Sequence, residues 1–592
     1  MTKADSFVSV ARVDELTGDG PFAVASNGLD LVLIRSAPGW RAFEGRCPHQ
    51  GALLGEGEIE GCALVCRNHR WRFAVDSGER IGGPERLASF PAIERDGQVL
   101  VDVSGRARPA AGATASRSIA SVPGPRGLPF LGNALEINPT RVHLVLEAWS
   151  REFGPTFQFR VGSRTGFATR DPVMIEEALR ARPETFRRSD ATNEVFSEAG
   201  IKGVFNAEGE AWRPQRKLAV AALAQRHLKE LFPHIVTVAR RLRRRWDKAA
   251  GSGTILDVVE EMKRFTVDVT TLIAFGHDAN TIEQSGDRIQ NELEVVLPTF
   301  SRRIVSPFPV WRYVRLPRDR RFDAALASVR RWLETLLNET RVRLAKTSGE
   351  AAKPGNFIEA MLAATDENGR PFSDETIVSN LLTMLLAGED TTAFTLSWAV
   401  HELCDSPRWS AELRREADEV LGPVDVASDL DAANRLLVAN AVASETLRLR
   451  PAAPFAGVTA NVDTTLGGYV VPKGTTIVLL LRPNAVDGAR FSDPGAFRPE
   501  RWLGELKGAH DLAVYAPFGS GPRMCPGRSL AMIEMKTLLS TLYKTFDVER
   551  VGEAKDVKEH FGFTMSPAGL RVRLRPRGAS LLQTGMQRRS CP

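Results

Sequence analysis

The chain has 592 residues, 43% hydrophobic and 25% charged, a composition that excludes a disordered or fibrous protein and a length that exceeds one ordinary core. Residues 1–104 carry 11 Lys and Arg against 15 Asp and Glu (net −4), leaving 67 against 57 (+10) for the remainder, and such opposite signs favour docking of the two parts. The six cysteines, Cys47, Cys62, Cys66, Cys404, Cys525 and Cys591, are too sparse for a disulfide framework, so a close pair points to metal binding.

The N-terminus lacks the apolar core of a signal peptide, and no apolar run approaches membrane-spanning length; 381–386 and 477–481 are short buried segments. A cytoplasmic protein is expected, with no transmembrane segment and no nucleic-acid partner. From 7 to 103 the chain reads as short strands. Residues 31–34, 63–65 and 99–101 are β-prone, and Gly78, Gly82, Gly83 and Gly97 mark turns. Cys47 and His49 stand two apart, and Cys66 and His69 three apart, one Cys and one His on each of two loops. Two cysteines and two histidines could make a tetrahedral zinc site. The split C-x-H and C-x-x-H spacing argues instead for a Rieske arrangement, two Cys on one iron of a [2Fe–2S] cluster and two His on the other. The loops 47–52 and 66–73 resemble those of Rieske ferredoxins and oxygenases over nearly the whole of 1–104. Ala52 and Asn68 stand where respiratory Rieske proteins carry a disulfide, which implies a ferredoxin-type cluster of lower potential. Cys62 lies outside both loops and reads as structural. The later histidines form no close pair with an acid, so the mononuclear-iron site of ring-hydroxylating oxygenases is not expected.

Residues 105–121, rich in Ala, Arg, Gly and Ser, read as a flexible tether that raises the effective concentration of one domain at the other. A stiff Pro/Gly segment follows at 122–133. The pattern from there to 575 is mainly helical, with clear periodicity over 171–182, 325–344 and 374–400; 576–592 is a polar tail. Trp212 and Arg216 are four apart and share a helix face. Ala387, Gly388, Glu389, Asp390, Thr391 and Thr392 leave room beside a helix and offer groups that bond local carbonyls and water. Glu445 and Arg448 can pair across one helical turn, and Arg501 follows in a later loop. The most restrictive signal is F-x-x-G-x-R-x-C-x-G over 518–527. Its glycines permit a sharp turn and close approach to a flat ligand, and a thiolate at Cys525 beside a helix start is stabilised there.

These four stations resemble the cytochrome P-450 family. The resemblance implies haem b with Cys525 as axial thiolate, Phe518 and Gly519 in the cofactor loop, and Trp212, Arg216 and Arg523 at the haem propionates. It further implies that Thr391 steadies bound dioxygen, that Asp390 leads protons in, and that Glu445, Arg448 and Arg501 form a triad for folding and haem retention. Val458 and the segment Asn484 to Asp487 depart from the family pattern, so some propionate contacts must come from neighbours such as Arg482.

The expected protein is therefore multidomain, a small all-β Rieske domain (1–104) and a tether (105–121) before a mainly α P-450 fold with small sheets (122–575). The resemblance implies a monooxygenase that uses O2 on a hydrophobic substrate such as a fatty acid or terpenoid. Candidate pocket positions are Phe196, Phe205, Phe300, Ala387, Phe455 and Met565. The absence of a G-x-G-x-x-G fingerprint after a strand implies a separate NAD(P)H-dependent ferredoxin reductase. The alternatives are a peroxygenase, a haem-thiolate isomerase or dehydratase, and an electron-transfer or redox-sensing protein; the Asp390–Thr391 pair and the fused electron carrier argue against the first two.

Overall fold

The computed structural model describes residues 7–577 apart from 17, 19, 27–28, 37–38, 49–51, 68–69, 104–116, 224, 285–287, 347–353, 367–368 and 505–513. His49, His69 and Cys591 lie outside the described residues.

The N-terminal part is built of three small antiparallel sheets. Strand Leu29–Ser36 shows why its apolar run is continuous rather than alternating. Leu31 and Leu33 face one core with Trp40, Val99 and Val101, while Val32 and Ile34 face another with Phe43, Cys47, Leu64 and Cys66. A period of two thus feeds two cores from one strand. Asp96 (φ 51°) and Gly97 (φ 72°) make the two-residue turn joining Ala92–Arg95 to Gln98–Asp102, where both positions need positive φ.

The larger part carries a five-stranded sheet, in order Thr156–Val161, Arg164–Thr169, Thr476–Leu480, Phe455–Ala460 and Phe186–Arg188, beside a body of helices. The helix Asp374–Cys404 runs through its centre. Ser373 caps it by accepting from the Thr376 amide, and it packs on the helices Val258–Phe275, Leu437–Leu449 and Arg528–Thr545. Such a helix is apolar on most sides because it is surrounded.

Residues at both expected boundaries join the larger part. The end of the tether is ordered: Arg117–Ser118 pairs in parallel with Tyr469–Val471, and Ile119 is buried beside Val471 and Ile477. The C-terminal tail begins later than 576, because Pro576 closes strand Arg571–Pro576 and Arg577 pairs with Asp418 at 2.5 Å. Cys62, expected to be structural, is exposed in a turn and packs no core.

Candidate active site and metal centres

Each cluster loop is closed in the same way. The Cys47 amide donates to the Ala52 carbonyl and the Cys66 amide to the Trp71 carbonyl, both at 2.8 Å, five residues on in each case. Cys47 and Cys66 are buried in one apolar core with Leu54, Leu64 and Phe73. Two buried thiols on matched loops, against a shell that excludes water, fit a [2Fe–2S] cluster.

The loop before helix Arg528–Thr545 holds Cys525, whose amide donates to the Phe518 carbonyl at 2.9 Å. Gly519 (φ 73°) and Gly521 (φ 70°) adopt a conformation that side chains resist, and a Cβ on Gly521 would meet the Leu179 carbonyl at 2.4 Å. The Phe518 ring lies against that helix's first residue, Arg528, at 5.9 Å. Cys525 is exposed. Surrounding protein raises the pKa of its thiol, opposed by the Gly527 amide and the charges of Arg216, Arg67 and Arg528. An amide and three guanidiniums about one sulfur fit an iron-bound thiolate.

Beside the loop lies a cationic pocket short of anions. The Arg523 guanidinium sits over the Trp212 ring at 4.4 Å and donates to Glu208 and the Ala207 carbonyl; its Nε and Nη1 have no partner among the described residues. Arg182, 5% exposed, likewise leaves Nε and Nη2 unpaired. Burial lowers the pKa of Arg182 and of Arg523, the latter to about 10, with Glu208 opposing in both. Orphaned buried guanidinium donors are costly, so this pocket fits the carboxylates of haem propionates. Sequence reasoning singled out Arg523 but not Arg182, which carries no motif and is legible only once the fold sets it near Arg523 and Glu208. It also suggested Arg482, which is instead committed to Glu147 (2.8 Å twice) and Glu559 (3.0 Å). Arg182→Gln is expected to lower haem occupancy of purified protein and Arg523→Gln to lower it further, measured as the haem-to-protein ratio. Full occupancy in both would remove the pocket from haem binding.

Arg216 is placed differently from Arg523. Its Nε and Nη2 donate to the two oxygens of Glu56, both at 3.0 Å, and Nη1 donates to the Met524 carbonyl at 2.7 Å. Glu56 belongs to the N-terminal part. Further contacts join the two parts. Arg67, next to Cys66, donates to the carbonyl of Pro526, next to Cys525, at 3.0 Å. Arg46, next to Cys47, donates to the Arg180 carbonyl, and Arg180 donates to the Pro48 carbonyl at 3.3 Å. Both cluster loops therefore meet the larger part on the face of the Cys525 loop.

In the middle of the long helix Asp374–Cys404, Ala387, Gly388 and Thr391 are accessible while Glu389 and Asp390 are buried. Thr391 Oγ1 donates to the Ala387 carbonyl at 2.8 Å. A Cβ on Gly388 would meet Thr270 Oγ1 at 2.5 Å, so glycine lets the neighbouring helix approach. Lys263 of that helix lies 3.0 Å from Asp390 and 3.6 Å from Glu389. Burial works against the Lys263 charge, but Asp390 and Glu389 outweigh it and hold the ammonium above its usual range. Burial pushes Glu389 up to about 8, with Lys263 opposing. Phe196, Phe205 and Phe300 meet in one aromatic group with Phe563, ring centroids 4.6 to 6.1 Å apart. Phe455 and Met565 belong to a second group with Phe561. Phe300 and Met565 are fully buried.

A cysteine loop over a cationic pocket, a long helix with an accessible gap, and a β part with paired cysteine loops define a haem-thiolate protein carrying an iron–sulfur domain. The chain belongs to the cytochrome P-450 family, whose pattern it matches over residues 122–574, and residues 6–91 match the Rieske [2Fe-2S] domain. It is a monooxygenase with haem and a [2Fe–2S] cluster. Among its relatives is the human mitochondrial 25-hydroxyvitamin D-1 alpha hydroxylase, 29% identical over 456 residues, 74% of this chain and 88% of that protein. A self-sufficient cytochrome P-450 monooxygenase of Aspergillus kawachii is 27% identical over 480 residues, 79% of this chain but 44% of the relative. The crystal structure of the cytochrome P-450DA heme domain superimposes with a TM-score of 0.68 at 26% identity, covering 77% of this chain and 98% of that one. Among the described residues no helix is long and apolar enough to cross a membrane.

Proposed function

We propose that this monooxygenase receives its electrons through its own Rieske domain, from a separate NAD(P)H-dependent ferredoxin reductase, and hydroxylates a hydrophobic substrate. Cys47, His49, Cys66 and His69 hold the cluster in this reading, and Cys525 holds the haem. The observation that carries it is the contact between the two ligand loops: Arg67, adjacent to Cys66, bonds Pro526, adjacent to Cys525. Arg528 supports it, since it lies near both Cys66 and Cys525.

Two electrons and two protons reduce one O2 per turnover, one oxygen atom entering the substrate C–H bond as hydroxyl and the other leaving as water. The cluster passes one electron at a time, so the reductase visits twice. Bound haem supplies oxygen activation, helped by the electron push of the thiolate. The chain's own residues do the rest. Arg182 and Arg523 hold the propionates with Trp212 beneath Arg523, Phe518 and Gly519 shape the cysteine loop, and Thr391 faces the accessible gap. Asp390 relays protons from the Lys263 side. The aromatic group of Phe196, Phe205 and Phe563 favours an apolar substrate, since such rings offer large apolar area and few polar partners.

His69→Ala separates this reading from a peroxygenase. Reductase-driven product formation is expected to fall by about 100-fold, while peroxide-driven turnover persists. Equal reductase-driven rates in the parent and variant would overturn the electron route.

A further inference from the structure

We propose that Glu56, Arg67 and Arg216 form an interdomain clamp that seats the Rieske domain by gripping the backbone on both sides of Cys525. The clamp deepens the electron route proposed above and takes its purpose from that reading, though its existence does not depend on it.

The geometry is specific. One carboxylate, Glu56, stands between two guanidiniums: it accepts two bonds from Arg216 at 3.0 Å and pairs with Arg67 at 3.4 Å. The two guanidiniums end on the carbonyls that flank Cys525, Arg216 on Met524 (2.7 Å) and Arg67 on Pro526 (3.0 Å). All three side chains are shielded, at 11% exposure for Glu56, 13% for Arg67 and 8% for Arg216. Glu56 is held in place by its own domain, where it lies in the short turn Leu54–Glu56 with Leu54 fully buried beneath it.

The roles follow from charge. Arg67 and Arg216 repel one another across the interface, and Glu56 turns that repulsion into a shared attraction. A bidentate fork fixes orientation as well as distance, so Arg216 sets how the cluster loop faces Cys525. Glu56 is thus a positioning residue. Removing it leaves two like charges buried together, which is worse than removing either arginine. The more exposed contact of Arg46 with Glu184 (3.5 Å), a carboxylate that Arg213 of the larger part also pairs with (3.2 Å), lies at the rim and is screened by salt.

The test uses the full-length holoenzyme and four chains: parent, Glu56→Gln, Arg216→Gln and the double variant. Amide hydrogen exchange over 520–528 reads docking without reference to electron flow, and the electron paramagnetic signal of the reduced cluster checks that the Rieske domain stays folded. Glu56→Gln is expected to speed exchange there by about tenfold or more, the effect of cutting one partner from a shielded charge pair, with the cluster signal intact and haem content full. In the Arg216→Gln background the same change should add little, because the partner is already gone. Unchanged exchange in Glu56→Gln would overturn the clamp. If the electron route fails while the clamp stands, exchange still rises in Glu56→Gln but haem reduction in the parent is already independent of the cluster.

Discussion

Arg448→Ala is expected to destabilise the haem domain by about 3–5 kcal/mol, the cost of breaking a buried charge pair by removing one partner. Arg448 and Glu445 are both 0% exposed and joined by two bonds, at 2.7 and 2.9 Å. Arg448 also donates to the carbonyls of Ala485 (2.7 Å), Pro494 (2.6 Å) and Ala496 (3.0 Å), so it ties the helix Leu437–Leu449 to the segment that follows the five-stranded sheet. Glu445 in turn accepts from Arg501 (3.2 Å), the Arg498 amide (2.9 Å) and Trp502 (2.9 Å). Alanine removes the fork, strands three carbonyls and opens a cavity. In a domain of this size the loss corresponds to about 3–5 °C in the unfolding midpoint, and haem retention on desalting should fall with it. Arg448→Lys keeps the charge without the planar fork and should recover only part of the loss. Calorimetry together with the haem-to-protein ratio decides; a midpoint and haem content equal to the parent's would show that the triad holds nothing.

The triad was legible in the sequence because Glu445 and Arg448 are one helical turn apart and a helix dictates that they meet. The proposed ligand loops were legible for a related reason: metal chemistry demands particular atoms at particular spacing, and the structure brings Cys47 and Cys66 into one core. Long-range partners were not. The opposite net charges of the two parts suggested docking, yet the contacts are of both polarities, Glu56 on Arg216 and Arg46 on Glu184. Net charge sets the long-range field, whereas seating is decided by which few side chains lose their water. Arg182 and Arg482 show the same limit. Both are arginines without a motif, and only tertiary placement gives Arg482 two carboxylates and leaves Arg182 with unpaired donors. The aromatic pocket positions were chosen as one set, but the hairpin of Lys558–Phe561 and Met565–Ala568 divides them. It sends Phe563 (φ 86°) into the group of Phe196 and leaves Phe561 and Met565 with Phe455.

Asp390→Asn should cut product formation by about 100- to 1,000-fold, the range for loss of a positioned proton-transfer group, while haem content and folding hold. The carboxylate is buried against the helix Val258–Phe275, 3.0 Å from Lys263, one residue before Thr391. Asparagine keeps the volume and one acceptor but can neither release nor accept a proton at this pH. Electrons would continue to arrive while protons did not, so product per NAD(P)H oxidised should fall more steeply than NAD(P)H oxidation itself. The solvent deuterium isotope effect on turnover should rise, a readout that a merely structural role would not move. Lys263→Met tests the same relay from its cationic partner. It leaves Glu389 buried without its cation, and burial then favours the neutral acid. Glu389, already pushed up to about 8 with Lys263 in place, would be held neutral more firmly still. Proton delivery through Asp390 would then be slow, because the cation paired with it is gone. The variant should therefore be slower than the parent, faster than Asp390→Asn, and most impaired at high pH. Rates for Asp390→Asn within about twofold of the parent, with an unchanged isotope effect, would remove Asp390 from proton delivery and leave Lys263 as packing for a buried acid.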